Sequence, residues 1–156
     1  MNAKKHPGVH IPPPLIYVAF FLLSLRMQNL LPLQNAALHG TITKIAGALM
    51  IALYLVFFIP ALRQFILSKN TLITVKPANS LQTSGIYSFT RNPMYVSLVC
   101  LYCGLAMFLG NWWTFILLPL LVMAVQLYVI KKEEQYLQQA FGSSYNEYKR
   151  KVRRWI

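Results

Sequence analysis

Glu133 and Glu134 stand side by side where the last long apolar stretch of this 156-residue chain ends. They are two of its three acidic residues; Glu147 is the third, and there is no aspartate. Upstream, Thr83-Ser84-Gly85-Ile86-Tyr87 and then Arg91-Asn92-Pro93-Met94-Tyr95 lie at the mouth of the preceding apolar stretch. A carboxylate pair suits a cationic ligand, or else a structural ion pair with Arg91. Arg91 beside the start of a helix, where backbone N–H groups are exposed, suits a carboxylate or phosphate. If the two apolar stretches between these clusters form a helical hairpin, the clusters meet at one membrane face. The arrangement resembles an enzyme site set at the boundary between water and lipid.

The elements that must position these residues follow from composition. The chain is 56% hydrophobic and 12% charged, with a mean hydropathy of +0.47, too apolar for an ordinary soluble domain. Four apolar stretches are read, at about 13–33, 42–62, 93–109 and 112–130. Each is close to the roughly 20 residues that a helix needs to cross about 30 Å of hydrocarbon. The expected fold is an all-α membrane protein, a single domain over residues 1–156 with four transmembrane helices. A loop over about 63–92 and a tail over 131–156 carry the polar clusters. Lys4 and Lys5 precede the first apolar core as in a signal peptide, but Arg26 follows it without a small-residue cleavage pattern, so an uncleaved helix is expected.

Charge sets the orientation. Basic residues gather in the N-terminal tail (Lys4, Lys5), the middle loop (Arg63, Lys69, Lys76, Arg91) and the C-terminal tail (Lys131, Lys132, Lys149, Arg150, Lys151, Arg153, Arg154). Four crossings put all three on one face, and the positive-inside rule makes it cytoplasmic, with both termini there. A bacterial inner membrane, or the endoplasmic reticulum of a eukaryote, is the expected location. The net charge of +12 follows the membrane edges, so anionic lipid headgroups are the expected counter-charge. Neither a nucleic-acid motif nor an obligate protein partner is evident.

The remaining polar residues have plainer readings. Cys100 and Cys103 share a helix face inside the third stretch, where small side chains help helices pack, and no second pair completes a metal site. His6, His10 and His39 have no ligand spacing. Arg26 either faces the bundle interior or snorkels to headgroups. Asn92-Pro93 reads as an N-cap followed by Pro at the first helical position. Beyond residue 130 the fourth helix is expected to continue into the cytoplasm through Phe141. At 100° per residue, Ile130, Glu134, Leu137 and Phe141 then fall within about 60° of one another, with Glu133 at the border. Gly142 reads as a helix end and Ser144-x-x-Glu147 as a capping box. The last helix would lie in the membrane interface, with Tyr145, Tyr148, Val152 and Trp155 on its apolar face.

Taken together, Gly85-x-Tyr87, Arg91-Asn92-Pro93-Met94-Tyr95, Glu133-Glu134 and Phe141-Gly142-x-x-Tyr145-x-x-Tyr148 with Val152 resemble the isoprenylcysteine carboxyl methyltransferase and phospholipid methyltransferase superfamily, in order and in spacing. The likeness covers about residues 79–152. It implies an integral-membrane enzyme that transfers a methyl group from S-adenosylmethionine to a lipid-like acceptor and releases S-adenosylhomocysteine. The cofactor segment would then fall on Ser80, Leu81, Gln82, Gly85 and Tyr87, with Arg91, Asn92, Pro93, Tyr95, Glu133 and Glu134 completing the site. No metal and no general base are assigned. Asn92 stands where the family usually has histidine. Val129 stands where the protein carboxyl methyltransferases place a substrate-contacting arginine. The expected acceptor is therefore a lipophilic small molecule or lipid. A prenylcysteine carboxyl methyltransferase, or a non-enzymatic small transporter or scaffold, is the alternative. No Gly-x-Gly-x-x-Gly follows a strand, which excludes a soluble dinucleotide-type methyltransferase fold.

Overall fold

The computed structural model describes residues 7–33, 36–68 and 80–156. Lys4, Lys5, His6, Lys69 and Lys76 lie outside the described residues. The described chain is helical throughout: α1 (Pro13–Leu30), α2 (Thr41–Leu67), α3 (Pro93–Leu109), α4 (Trp112–Ala124) and α5 (Lys131–Lys151). Short 3-10 turns occupy Ala36–Leu38 and Gly85–Ser88, and a π-helical stretch, Val125–Ile130, joins α4 to α5. From Trp112 the helical run reaches Lys151, kinked at Gly142, where the backbone is not helical.

Local chemistry explains the boundaries. Proline opens α1 and α3 at positions where a missing N–H costs little. α3 ends at Gly110 in the left-handed region (φ 64°), and the Asn111 N–H reaches back to the Ala106 carbonyl at 3.0 Å. The Asn111 side chain then caps α4 by accepting the Trp113 N–H at 3.0 Å. That two-residue turn makes α3 and α4 antiparallel neighbours. α2 runs five residues past the expected residue 62 and keeps Pro60 inside it.

Two helices, α2 and the Trp112–Lys151 run, are long and apolar enough to cross a membrane; α3 is a shorter apolar helix. α2 exposes Ile42, Ile45, Leu49, Leu53, Val56, Ile59 and Ile66, a surface that only lipid or a protein partner would cover at low cost. α1, interrupted near its end by Arg26, Gln28 and Asn29, is less apolar. Arg26 is exposed and so does not face the interior.

The packing that matters for the site runs through two clusters. Val9 and Tyr17 meet Tyr102, Leu121, Val125, Val129 and Ile130, joining α1, α3 and the long helix. Ala61 of α2 meets Tyr87, Tyr145 and Tyr148, with Leu81, Met94, Leu137, Phe141 and Val152 packed around them. At the far end of the bundle, Ser24 and Thr114 hydroxyls lie 2.9 Å apart and the Asn111 amide donates to Ser24 at 3.2 Å, locking α1 to α4. α2 crosses α3 most closely at Gly47 and Gly104. A Cβ on Gly104 would lie 2.9 Å from Ile51 Cγ1 and 3.1 Å from the Gly47 carbonyl oxygen. Glycines rather than Cys100 and Cys103, both half-buried, make this close approach.

The start of α1, the end of α2, the start of α3 and the α4–α5 junction therefore gather at one end of the bundle. Past Phe141, Gly142 (φ 52°, ψ −118°) leaves helical geometry in a conformation closed to other residues, so that a kink separates two helical segments at the expected helix end. This bend lays Tyr145 and Tyr148 against Tyr87 and Ala61. The apolar face expected to rest on the membrane interface is instead buried inside the protein.

Candidate functional site

The long helix presents two consecutive carboxylates, and consecutive helical residues point about 100° apart. They accordingly have different partners. Glu133 Oε1 accepts the Tyr95 hydroxyl at 2.8 Å. Glu134 accepts from two arginines: Arg91 Nη1 lies 3.0 Å from Oε1, while Arg154 takes both oxygens, Nε to Oε1 at 2.9 Å and Nη2 to Oε2 at 2.6 Å. The structural ion pair anticipated for Arg91 thus exists, but it falls on Glu134 and spares Glu133. The π-helical stretch Val125–Ile130 widens the helix just before the pair and so helps set which carboxylate faces which partner.

Arg91 is held from several sides. Its N–H donates to the Arg153 carbonyl at 3.0 Å and Nη1 also donates to the Tyr145 hydroxyl at 3.2 Å. Its side chain is only 9% exposed, yet Nε is buried with no acceptor. A buried N–H of a charged group without an acceptor costs on the order of 1–3 kcal/mol, which a bound anion would recover. Glu133 carries the opposite deficit. Withdrawal from water pushes its carboxyl up, the Tyr95 hydrogen bond pulls it down, and the neighbouring Glu134 pushes it up again, giving a pKa of about 7. No cation pairs with Glu133 among the described residues, so a bound cation would settle it as the carboxylate.

The other sequence-chosen residues frame this pair. Tyr87 is buried, its carbonyl accepting the Tyr148 hydroxyl at 2.6 Å; burial first, and then the charge of Glu133, hold its phenol above the ordinary range. Pro93 is fully buried at the start of α3. Asn92 does not cap α3 with its side chain; its Nδ2 donates to the Arg154 carbonyl at 2.9 Å. Gly85 forms the turn against α2, where Gln64 donates to the Ser84 hydroxyl at 2.9 Å. Leu81 packs on the tyrosine cluster, and Gln82 donates to the Ser80 hydroxyl at 2.8 Å. A groove of about 510 Å³ opens between the end of α2 and Gln82, lined by Ile59, Pro60, Arg63, Gln64, Leu67 and Ser68. Val129 is fully buried among apolar neighbours, so no cation stands one turn before Glu133.

The structure thus pairs Tyr95 with Glu133 and Arg91 with Glu134 at consecutive positions of the long helix. It adds Tyr145 and Arg154, which the sequence pattern had placed on a membrane-surface helix and its tail. No group of His, Cys, Asp and Glu among the described residues could hold a metal ion.

Comparison with known proteins is decisive at the level of family. Residues 42–144, well over half of the chain, match the model of the phospholipid methyltransferase family. The chain belongs to that family. The matched segment contains Gly85–Tyr95 and Glu133–Glu134 and stops one residue short of Tyr145. A 72-residue stretch, 46% of the chain, is 39% identical to the protein-S-isoprenylcysteine O-methyltransferase of Schizosaccharomyces pombe. It covers 30% of that protein's length. A 63-residue stretch, 40% of the chain, is 35% identical to an uncharacterized protein of Haemophilus influenzae over that protein's whole length. No solved structure matches the chain.

Proposed function

We propose that this phospholipid methyltransferase family member transfers a methyl group from S-adenosylmethionine to a lipophilic or lipid-like acceptor, at the cytoplasmic face of a membrane that it crosses four times. One observation carries the reading. Arg91, whose buried Nε lacks an acceptor, is paired to Glu134, and the preceding residue on that helix, Glu133, is a carboxylate that lacks a cation among the described residues. Together they match a ligand bearing both an ammonium and a carboxylate, as the amino-acid end of the donor does. Glu133 would take the cationic end and Arg91 the anionic end, with Tyr95 orienting Glu133. Ser80–Tyr87, at the rim, would face the nucleoside.

The donor when bound supplies a methyl on a sulfonium, which leaves with its bonding pair kept by sulfur as the acceptor's lone pair forms the new bond. This chain then has to align the two partners and exclude water, which accounts for several kcal/mol of barrier without a metal. Buried Tyr87, Tyr145 and Tyr148 provide the exclusion on the protein side. The apolar helices give a lipidic acceptor sideways access from the bilayer. Four crossings fit the gathering of the α1 start, α2 end, α3 start and α4–α5 junction at one end, and the positive-inside rule makes that end cytoplasmic. Glutamates at the edge of the apolar span, rather than at its middle, argue against a transporter.

Titration calorimetry of lipid-extracted protein with S-adenosylhomocysteine tests the reading. Saturable one-site binding is expected; absence of binding would overturn it.

A further inference from the structure

The chain does not stop at α5. Val152 turns extended (φ −123°, ψ 134°), and the last residues lie back across the site. The Arg153 carbonyl accepts the Arg91 N–H at 3.0 Å, and the Arg154 carbonyl accepts the Thr90 hydroxyl at 3.1 Å and the Asn92 amide at 2.9 Å. Arg91 is thereby gripped at its own backbone and through both neighbours. Trp155 Nε1 donates to Gln126 Oε1, at 3.0 Å, within the π-helical stretch that leads to the glutamates. The tail therefore ties together the two segments that must converge.

The Arg154 side chain does something further. It engages both oxygens of Glu134 in a bidentate fork, leaving Arg91 only one oxygen, shared, through a single Nη. Without Arg154, the fork of Arg91 would be drawn onto Glu134, since two parallel N–H···O bonds are the preferred arginine–carboxylate geometry. We propose that Arg154 is the positioning residue of this site: by engaging both oxygens of Glu134 it keeps Arg91 directed toward the ligand and weakens the push of the Glu134 charge on Glu133. The inference rests on the ligand-site reading above. It adds a role for a residue outside the family-matched segment, and a charge arithmetic for the cluster. Two guanidiniums against Glu134 leave one positive charge for an anion, with Glu133 reserved for a cation.

The groups that face Glu133 are Tyr95 from α3, Tyr87 from the 3-10 turn and Glu134 from its own helix, with Tyr17 of α1 behind Tyr95 through its bond to the Tyr95 carbonyl. Of these, Glu134 is the one whose influence depends on Arg154.

The test follows Glu133 directly, by the infrared band of its protonated carboxyl in ligand-free protein, assigned by its loss in Glu133→Gln. Arg154→Gln is expected to move the Glu133 titration to higher pH, and Arg154→Lys to restore it. In calorimetry, Arg154→Gln should weaken S-adenosylhomocysteine binding about tenfold, as loss of a charge-assisted contact does, and Arg154→Lys by less. In a Glu134→Gln background, Arg154→Gln should have little further effect. An Arg154→Gln protein that titrates and binds as wild type overturns the proposal, as do losses that simply add in the double variant. If Arg154→Gln does not fold, Arg154→Lys decides: an unshifted Glu133 with weakened binding supports the proposal, and unchanged binding overturns it. Should wild type bind no S-adenosylhomocysteine, the donor reading fails, while the infrared titration still decides the role of Arg154.

Discussion

The Tyr95 hydroxyl donates to Glu133 Oε1 at 2.8 Å, bridging the first turn of α3 to the extension of the long helix. Residues 38 positions apart thereby share one proton-bearing contact at the mouth of the bundle. The bond favours the ionised form of Glu133, whereas loss of water and the nearby Glu134 favour the neutral form, and the neutral-favouring effects prevail.

This balance predicts a pH dependence of ligand binding. Glu133 titrates near 7, above the ordinary carboxylate value of 4.5, so between these pH values the ligand-free protein holds a proton that an unperturbed carboxyl would release. A cationic ligand group requires the carboxylate and expels that proton. Affinity for S-adenosylhomocysteine should therefore rise with pH from about 5 to 7, approaching tenfold per unit, and level off above 7. Calorimetry in buffers of different ionisation enthalpy should show proton release below pH 7. Affinity that falls as pH rises through this window would contradict the assignment.

Glu133→Gln should cost S-adenosylhomocysteine binding about 10- to 150-fold, the range set by a charge-assisted hydrogen bond of roughly 1.5–3 kcal/mol. The residual binding should no longer vary with pH between 5 and 7. The variant should stay folded in detergent, since glutamine still accepts from Tyr95. Unchanged affinity would make Glu133 structural.

How much of this was legible in the sequence differs by element. Pro93 and Gly110 bracket α3, and the expected 93–109 span is the observed one, because proline and left-handed glycine act through local backbone geometry. The convergence of Arg91 and Tyr95 on the acidic pair followed from the short Gly110-Asn111 turn. What escaped reading depends on tertiary contact. The π-helical stretch leaves no mark in Val125–Ile130, where every register is apolar except Gln126. Arg154 looks like any of its basic neighbours until Gly142 turns the helix and brings the tail back to Glu134. Asn92 suggests a cap, yet the Arg154 carbonyl claims its amide. Pro60 marks no helix end, since α2 continues to Leu67.

The Gly47–Gly104 crossing predicts a packing effect remote from the chemistry. Gly104→Leu forces a side chain against Ile51 and the backbone of Gly47, and should destabilise the α2–α3 pair by about 1–3 kcal/mol. Thermal unfolding in detergent should begin at lower temperature, and ligand binding should weaken through displacement of Ala61 from Tyr87. Cys100→Ala, at a half-buried position on the same helix, should change the unfolding temperature less. Equal tolerance of both substitutions would remove this crossing as the element that seats α3.

The acceptor is the last expectation, and it turns on Val129. A carboxylate entering the site from lipid would need a cation to replace lost water, at a cost of several kcal/mol if none is met. Val129 is buried and apolar. Lys131 is exposed, and Lys132 lies over the Tyr128 ring, 4.2 Å from its centre. Arg154 is engaged by Glu134, and Arg91 is assigned to the donor, so neither is left for an acceptor carboxylate. A lipophilic amine, phenol, thiol or phospholipid headgroup should thus be methylated in preference to a farnesylated cysteine. Incubation of the reconstituted protein with labelled S-adenosylmethionine and a panel of such acceptors ranks them directly. Highest turnover on acetyl-farnesylcysteine would show that Arg91 serves the acceptor, and would reassign the anion site from donor to substrate.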